Sequence, residues 1–148
     1  TTKGYFYKGY TPAEAMKKFI SYTEFISLTG KSNTPDFGKN QFDGTYTYRT
    51  SAATSLVPNA NKSVTLITQS ANSVKLDPGL LGTYSNEVIY TINPTTNAVT
   101  VTCPSLGVQE PQDARSKWDP ATKTLTVFWK QGNGGRTFEE TFVYKGSR

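Results

Sequence analysis

The sequence predicts a mostly-β domain: an antiparallel barrel of lipocalin-like type, or a sandwich, of about seven or eight strands with one N-terminal helix. Three observations carry that prediction. From Gly44 onward apolar residues alternate with polar ones at a period of two. Gly, Pro, Asn or Asp bounds each alternating run, and the spacers are short enough for successive runs to pair antiparallel. Before residue 40 the apolar period is instead three to four, which is the spacing of a helix.

The chain opens with Tyr5, Phe6, Tyr7 and Tyr10 interleaved with Lys3 and Lys8. Such a mixture can stack nucleic-acid bases, but without a wider basic path it reads as an extended segment pairing with the sheet. Thr11 then fits an N-cap, Pro12 the first helical position, and Glu14 completes a Thr-x-x-Glu capping box. Met16, Phe19, Ile20, Thr23 and Ile26 form one mostly apolar stripe and Gly30 is a natural stop, so the helix spans about residues 12–28. Residues 1–43 are thus expected to pack, as segment and helix, on a β-domain of residues 44–148, the whole forming a single domain.

In the β part, Thr45-Tyr46-Thr47-Tyr48-Arg49 puts both tyrosines on one face and Thr, Thr and Arg on the other. Ser63 to Gln69, Ser73 to Leu76, Glu87 to Ile92, Ala98 to Cys103, Thr124 to Lys130 and Arg136 to Tyr144 behave alike and are rich in Val, Ile, Thr and aromatics. A local repeat strengthens the assignment. Ile92-Asn93-Pro94-Thr95-Thr96-Asn97-Ala98-Val99-Thr100-Val101 parallels Trp118-Asp119-Pro120-Ala121-Thr122-Lys123-Thr124-Leu125-Thr126-Val127. In each, Asn or Asp caps a turn and Pro presets φ, which predicts two hairpins built the same way. Gly132-Asn133-Gly134-Gly135 predicts the last hairpin; it lacks the Gly-Lys-Ser/Thr ending of a phosphate loop.

Composition limits the function. Of 148 residues 35% are hydrophobic, a low share, but 13% are aromatic and supply the burial that one core requires. The chain has no His and one Cys, which removes the commonest catalytic base, the commonest transition-metal ligand and any internal disulfide. The formal charge of +5 is scattered, with only Lys17 and Lys18 adjacent, so a phosphate-tracking stripe is not expected and nucleic acid is not a predicted partner. No apolar run approaches the ~20 residues that cross a bilayer. Thr1-Thr2-Lys3-Gly4 carries no signal-peptide pattern and no initiator Met, as in a trimmed or mature chain.

No catalytic, metal or cofactor site is expected. Cys103 shares the parity of Val99 and Val101 and reads as a small buried hydrophobe. Glu139 and Glu140 are strand neighbours, point to opposite faces and cannot act together as a glycosidase pair. Glu140 shares a face with Phe138, Phe142 and Tyr144; inside, it would need a partner such as Arg49, Arg115 or Arg136, and the simpler expectation is a bulged or edge strand that leaves it in water. Asp77, Asp113 and Asp119 adjoin turns and are expected to cap them. Tyr46, Tyr48, Tyr84, Tyr90, Trp118 and Trp129 could form a sugar platform; Trp118 and Tyr84, beside turns, are the pair expected to be exposed. The candidate ligand contacts are Trp118, Tyr84, Tyr48, Arg49 and Arg136.

From Gly44 on, the chain resembles the uncharacterised C-terminal β-domains of Bacteroidetes outer-membrane lipoproteins encoded beside glycan-uptake systems. Gly44-Thr45-Tyr46-Thr47, Ser63-Val64-Thr65-Leu66, the run Trp118 to Val127, Arg136-Thr137-Phe138 and Glu140-Thr141 carry the resemblance. It implies a lipocalin-like barrel on a cell-surface or periplasmic protein, non-enzymatic and assisting capture of polysaccharide, and it supplies no catalytic residue. The expected function is an accessory binding or scaffold domain with carbohydrate as the first ligand. Alternatives are a barrel enclosing a small apolar ligand and an assembly subunit that contacts other cell-surface proteins.

Overall fold

Alternation lays out the part of the chain that this computed structural model describes, residues 38–148. The strands are β1 (Gly44–Thr50), β2 (Asn61–Ser70), β3 (Ser73–Asp77), β4 (Ile89–Ile92), β5 (Val99–Thr102), β6 (Lys117–Asp119), β7 (Thr124–Lys130) and β8 (Thr137–Gly146), with a 3-10 turn at Leu80–Gly82 between β3 and β4. Lys39–Arg148 form one compact unit. The expected helix over about 12–28, its capping box and the aromatic segment before it lie outside the described residues.

The eight strands form one sheet in the order β5-β4-β3-β2-β1-β8-β7-β6, with every pairing antiparallel. β1 is the hinge of this order, pairing with β2 through Tyr46–Val64 and with β8 through Tyr48–Phe142. The two ends of the sheet then meet, so the architecture is a nearly closed barrel. Ala98 bridges Lys117, and the Trp118 amide donates to the Asn97 carbonyl at 2.9 Å. Beyond that point a side chain stands in for a strand. Gln112 Oε1 accepts from the Val101 amide at 2.7 Å, while its Nε2 donates to the Val101 carbonyl at 3.0 Å. An amide side chain carries the same donor and acceptor as a peptide unit, so Gln112 satisfies an edge that would otherwise be open.

β6 is the strand that the sequence does not announce. It has three residues, too few for alternation to register, and it occupies the start of the second hairpin repeat. Both repeats form the same turn. Asn93 Oδ1 accepts from the Thr95 and Thr96 amides at 2.8 and 3.0 Å, and Asp119 Oδ1 from the Ala121 amide at 2.9 Å. Asn97 and Lys123, four residues on, both take the left-handed conformation with φ of 65° and 51°.

Inward-facing side chains of all eight strands fill the barrel. Phe142 lies at its centre, with Tyr48 at 4.8 Å, Tyr90 at 5.2 Å and Tyr46 at 6.2 Å between ring centroids. Buried Val64, Leu66, Val74, Leu76, Val99 and Val101 complete the far wall. Cys103 is buried there as a small apolar residue. At one end Asp43, with a side chain 2% exposed, accepts from Arg148 Nε at 2.7 Å and Nη2 at 3.1 Å. It also takes the Thr68 amide at 2.8 Å and hydroxyl at 2.7 Å, tying β2 to both ends of the unit.

Candidate functional site

Glu140 lies inside the barrel and is 1% exposed, so the expectation that it stands in water is corrected. β8 keeps its alternation through Phe138, Glu140 and Phe142, and its register irregularity against β1 falls at Thr45/Tyr46, away from Glu140. None of the expected arginines reaches it. Glu140 Oε2 accepts from the Tyr48 hydroxyl; Oε1 accepts from the Tyr90 hydroxyl at 2.8 Å and the Trp129 indole N–H at 3.1 Å. Burial pushes the carboxyl above the usual range, against the opposing pull of these three bonds. Burial likewise raises Tyr48 and Tyr90, with the Glu140 charge adding to it. The arrangement staples β1, β4 and β7 to β8 across the core. With Glu140 only 1% exposed, it is a structural centre.

Trp118 is also corrected. It is 3% exposed, points inward from β6 and packs edge-on against Phe42 at 4.9 Å, because the short strand turns its face to the core. Its indole N–H is buried and finds no partner among the described residues. Tyr48 is fully buried as a Glu140 donor and offers no surface to a ligand. Tyr84 is 39% exposed on the loop after the 3-10 turn. Arg136 is exposed at the last hairpin, where Nη1 donates to Gln131 Oε1 at 2.9 Å. Arg49 is exposed on the outer face of β1. The five candidate contacts are therefore not brought together.

What the fold does bring together lies outside the barrel, on the face of β1, β8 and β7 around Arg49. Two hollows of about 420 and 330 Å3 share Phe128 and Glu139 as a common floor. Phe128 and Glu139 are direct cross-strand partners, as are Thr126 and Thr141 in the next outward-facing row, where Arg49 stands opposite Thr141. The loop through Gln109, Asp113 and Arg115 walls the larger hollow, and Lys130 lines it as well; Arg49 and Thr141 line the smaller one.

The polar groups of this groove are held in place before any ligand arrives. Ser51 Oγ donates to Glu139 Oε1 at 2.7 Å, and Thr54 Oγ1 both accepts from the Glu139 amide at 3.0 Å and donates to its carbonyl at 3.1 Å. Arg115 grips Asp113 through Nε at 3.0 Å and Nη2 at 2.7 Å, and its guanidinium lies 4.0 Å over the Phe128 ring. Asp113 also caps its turn by accepting from the Arg115 amide at 2.9 Å. The hydrogen bonds from Arg115 hold the Asp113 carboxyl down to about 2, so it stays ionised and has no proton to give. Glu139 and Asp113 share the larger hollow, yet Asp113 is unfit as the acid of a glycosidase pair.

Among the described residues, no three Cys, Asp or Glu side chains gather as metal ligands, and no helix is long and apolar enough to cross a membrane. Parity alone would have placed Phe128, Lys130, Glu139 and Thr141 outside; nothing in the sequence told that residues 109–115 fold over them.

Barrel and groove together define the class: an antiparallel β-barrel carrying a polar groove on its outer wall. More particularly, residues 44–146 match the family described as "Domain of unknown function (DUF7015)", and the chain belongs to it. No curated protein matches the chain. No solved structure matches it either.

Proposed function

We propose that this chain is a non-catalytic accessory binding domain of an extracytoplasmic bacterial protein, at the periplasmic or outer-membrane surface, and that carbohydrate binds in the outer groove. One observation carries the reading. Around Phe128 and Glu139, oriented acceptors and donors converge on a surface where Ser51 and Asp113 have already fixed the carboxylate and the guanidinium. Sugar hydroxyls are donors and acceptors at once, and recognition by preset partners avoids the entropy of ordering them on binding. Stacking on exposed tryptophan does not contribute, since Trp118 and Trp129 are both 3% exposed.

The alternatives find less support. A barrel holding a small apolar ligand needs internal space, and the centre is occupied by Tyr46, Tyr48, Tyr90, Phe142 and the Glu140 carboxylate. An assembly subunit adding an edge strand needs a free edge, and Gln112 occupies the one at Val101. The location rests on the resemblance to outer-membrane lipoprotein domains.

The test is affinity electrophoresis of the full chain through gels containing starch, xylan, mannan, laminarin, alginate or polygalacturonate. Retardation by at least one, abolished in Glu139→Ala at unchanged melting temperature, supports groove binding. Retardation that Glu139→Ala leaves intact moves the site elsewhere, and no retardation by any polysaccharide overturns the reading.

A further inference from the structure

We infer that the glycan taken by this groove is acidic: a chain of uronic-acid residues lying obliquely across β1, β8 and β7. The inference rests on the carbohydrate reading above and names the class of sugar within it.

Each hollow is lined by a cation that stands in no ion pair among the described residues. Among the described residues the ion pairs are Arg115–Asp113 and Arg148–Asp43. Arg49, lining the smaller hollow, and Lys130, lining the larger, are in neither. Asp113 is hydrogen-bonded to Arg115 and Glu139 to the Ser51 hydroxyl, so neither closes an ion pair on Arg49 or Lys130, although Lys130 lies near enough to help hold the Asp113 charge. Lys117, the cross-strand partner of Thr126, adds a third cation, in no ion pair among the described residues, at the end of the row that begins with Arg49 and Thr141. A ligand that only donated and accepted hydroxyl bonds would leave these charges unanswered. One carrying a carboxylate at each end of its footprint would answer Arg49 and Lys130.

The spacing decides between one sugar and a chain. Arg49 pairs across Thr141 with Thr126, and Lys130 lies four residues further along β7. Two strand spacings across and four residues along put about 16 Å between the two backbone positions. A single sugar ring cannot span that, and each hollow is at the low end of the ~300–1,000 Å3 typical of small-ligand sites. A chain fits, with one acidic residue at Arg49, one at Lys130, and the rings between them over Glu139 and Phe128.

Nucleic acid is the competing polyanion, and the groove is poorly made for it. A base would have to stack on Phe128, and Arg115 covers a face of that ring.

The experiment compares polygalacturonate and alginate with their methyl-esterified forms, and with neutral xylan and oligothymidylate, by calorimetric titration of the full chain. Binding to an acidic chain that drops at least tenfold on esterification, and weakens again in 0.5 M salt, is expected. Arg49→Gln and Lys130→Gln should each lower that affinity about two- to fivefold, as befits exposed charge contacts, and neither should change binding of a single uronic acid by the same factor. Equal affinity for free and esterified chains, or preference for xylan, overturns the acidic inference and leaves the carbohydrate reading standing. Oligothymidylate binding as tightly as polygalacturonate also overturns it, in favour of a general polyanion site. Silence from every glycan overturns both readings together.

Discussion

Asp43 and Glu140 are both buried carboxylates of one small barrel, and their surroundings drive them in opposite directions. Asp43 sits at the end of the barrel. Burial works against its charge, yet the Arg148 guanidinium and the Thr68 amide and hydroxyl together outweigh that and hold its pKa below the usual value. Glu140 sits in the middle, where no cation among the described residues reaches. Three neutral donors soften the loss of water without cancelling it, and its pKa is raised. Burial alone therefore does not set the fate of an acid; the presence of a counter-charge does. The end of a barrel is where a long arginine can hold one end on the acid and keep the other near solvent. The centre offers only what neighbouring strands project, and here that is phenol and indole.

The sharpest way to break this comparison is to remove the central acceptor. Glu140→Leu keeps much of the volume but strands the Tyr48, Tyr90 and Trp129 donors, at about 1–3 kcal/mol each. A loss of at least about 3 kcal/mol in urea unfolding is expected. A loss under about 1 kcal/mol would mean that the three donors find other acceptors, and that the staple is not one.

Glu140→Gln sharpens the comparison through pH. Because the folded pKa is raised, the folded chain keeps a proton that the unfolded chain has lost. The contribution of Glu140 is therefore complete below its ordinary value of 4.5 and is lost as pH rises through the folded value. The melting-temperature advantage of the wild type over Glu140→Gln should shrink from pH 4 to pH 8. An advantage that stays constant over that range would contradict a raised carboxyl.

Asp43 gives the opposite sign. Its folded pKa is lowered, so its contribution is present above 3.8 and disappears as pH falls through the folded value. Arg148→Ala should cost about 1 kcal/mol at pH 7, discounted because the guanidinium is partly solvated, and almost nothing in strong acid. Denaturation at both pH values measures it; equal losses would place the role of Arg148 in packing.

The smallest effect belongs to Glu139, the neighbour of Glu140 on the other face. Glu139→Gln keeps an acceptor for Ser51 and should change stability by less than about 0.5 kcal/mol in urea unfolding. A larger loss of stability would make Glu139 part of the structural framework and weaken its assignment to the groove.

The barrel itself was largely written in the alternation of the chain. Tyr46 and Tyr48, Leu125, Val127 and Trp129, Phe138 and Phe142 all face inward as their parity demands. The twin hairpins were visible in the repeat, down to the Asn93 and Asp119 caps. Glu140 shared the parity of its buried neighbours, and the expectation that put it outside gave too much weight to the cost of burying an acid. That cost is met by Tyr48, Tyr90 and Trp129, and two of those three residues lie 92 and 50 positions away in sequence. Trp118 failed for a related reason: nearness to a turn suggested exposure, while the register of β6 against β7 turned the ring inward.

The sequence by itself determined seven of the eight strands, most of their inward faces, the hairpin turns and the poverty of catalytic groups, because each depends on residues a few positions apart. Only the tertiary structure decided that β5 and β6 meet, that Gln112 takes the place of a strand, and that three donors from three strands converge on Glu140. It alone placed Arg115 over Phe128 and set both beside Glu139. Those outcomes depend on contacts beyond the reach of local alternation, from 11 residues between Val101 and Gln112 to 92 between Tyr48 and Glu140, and closure of the barrel is what brings such groups within hydrogen-bond reach.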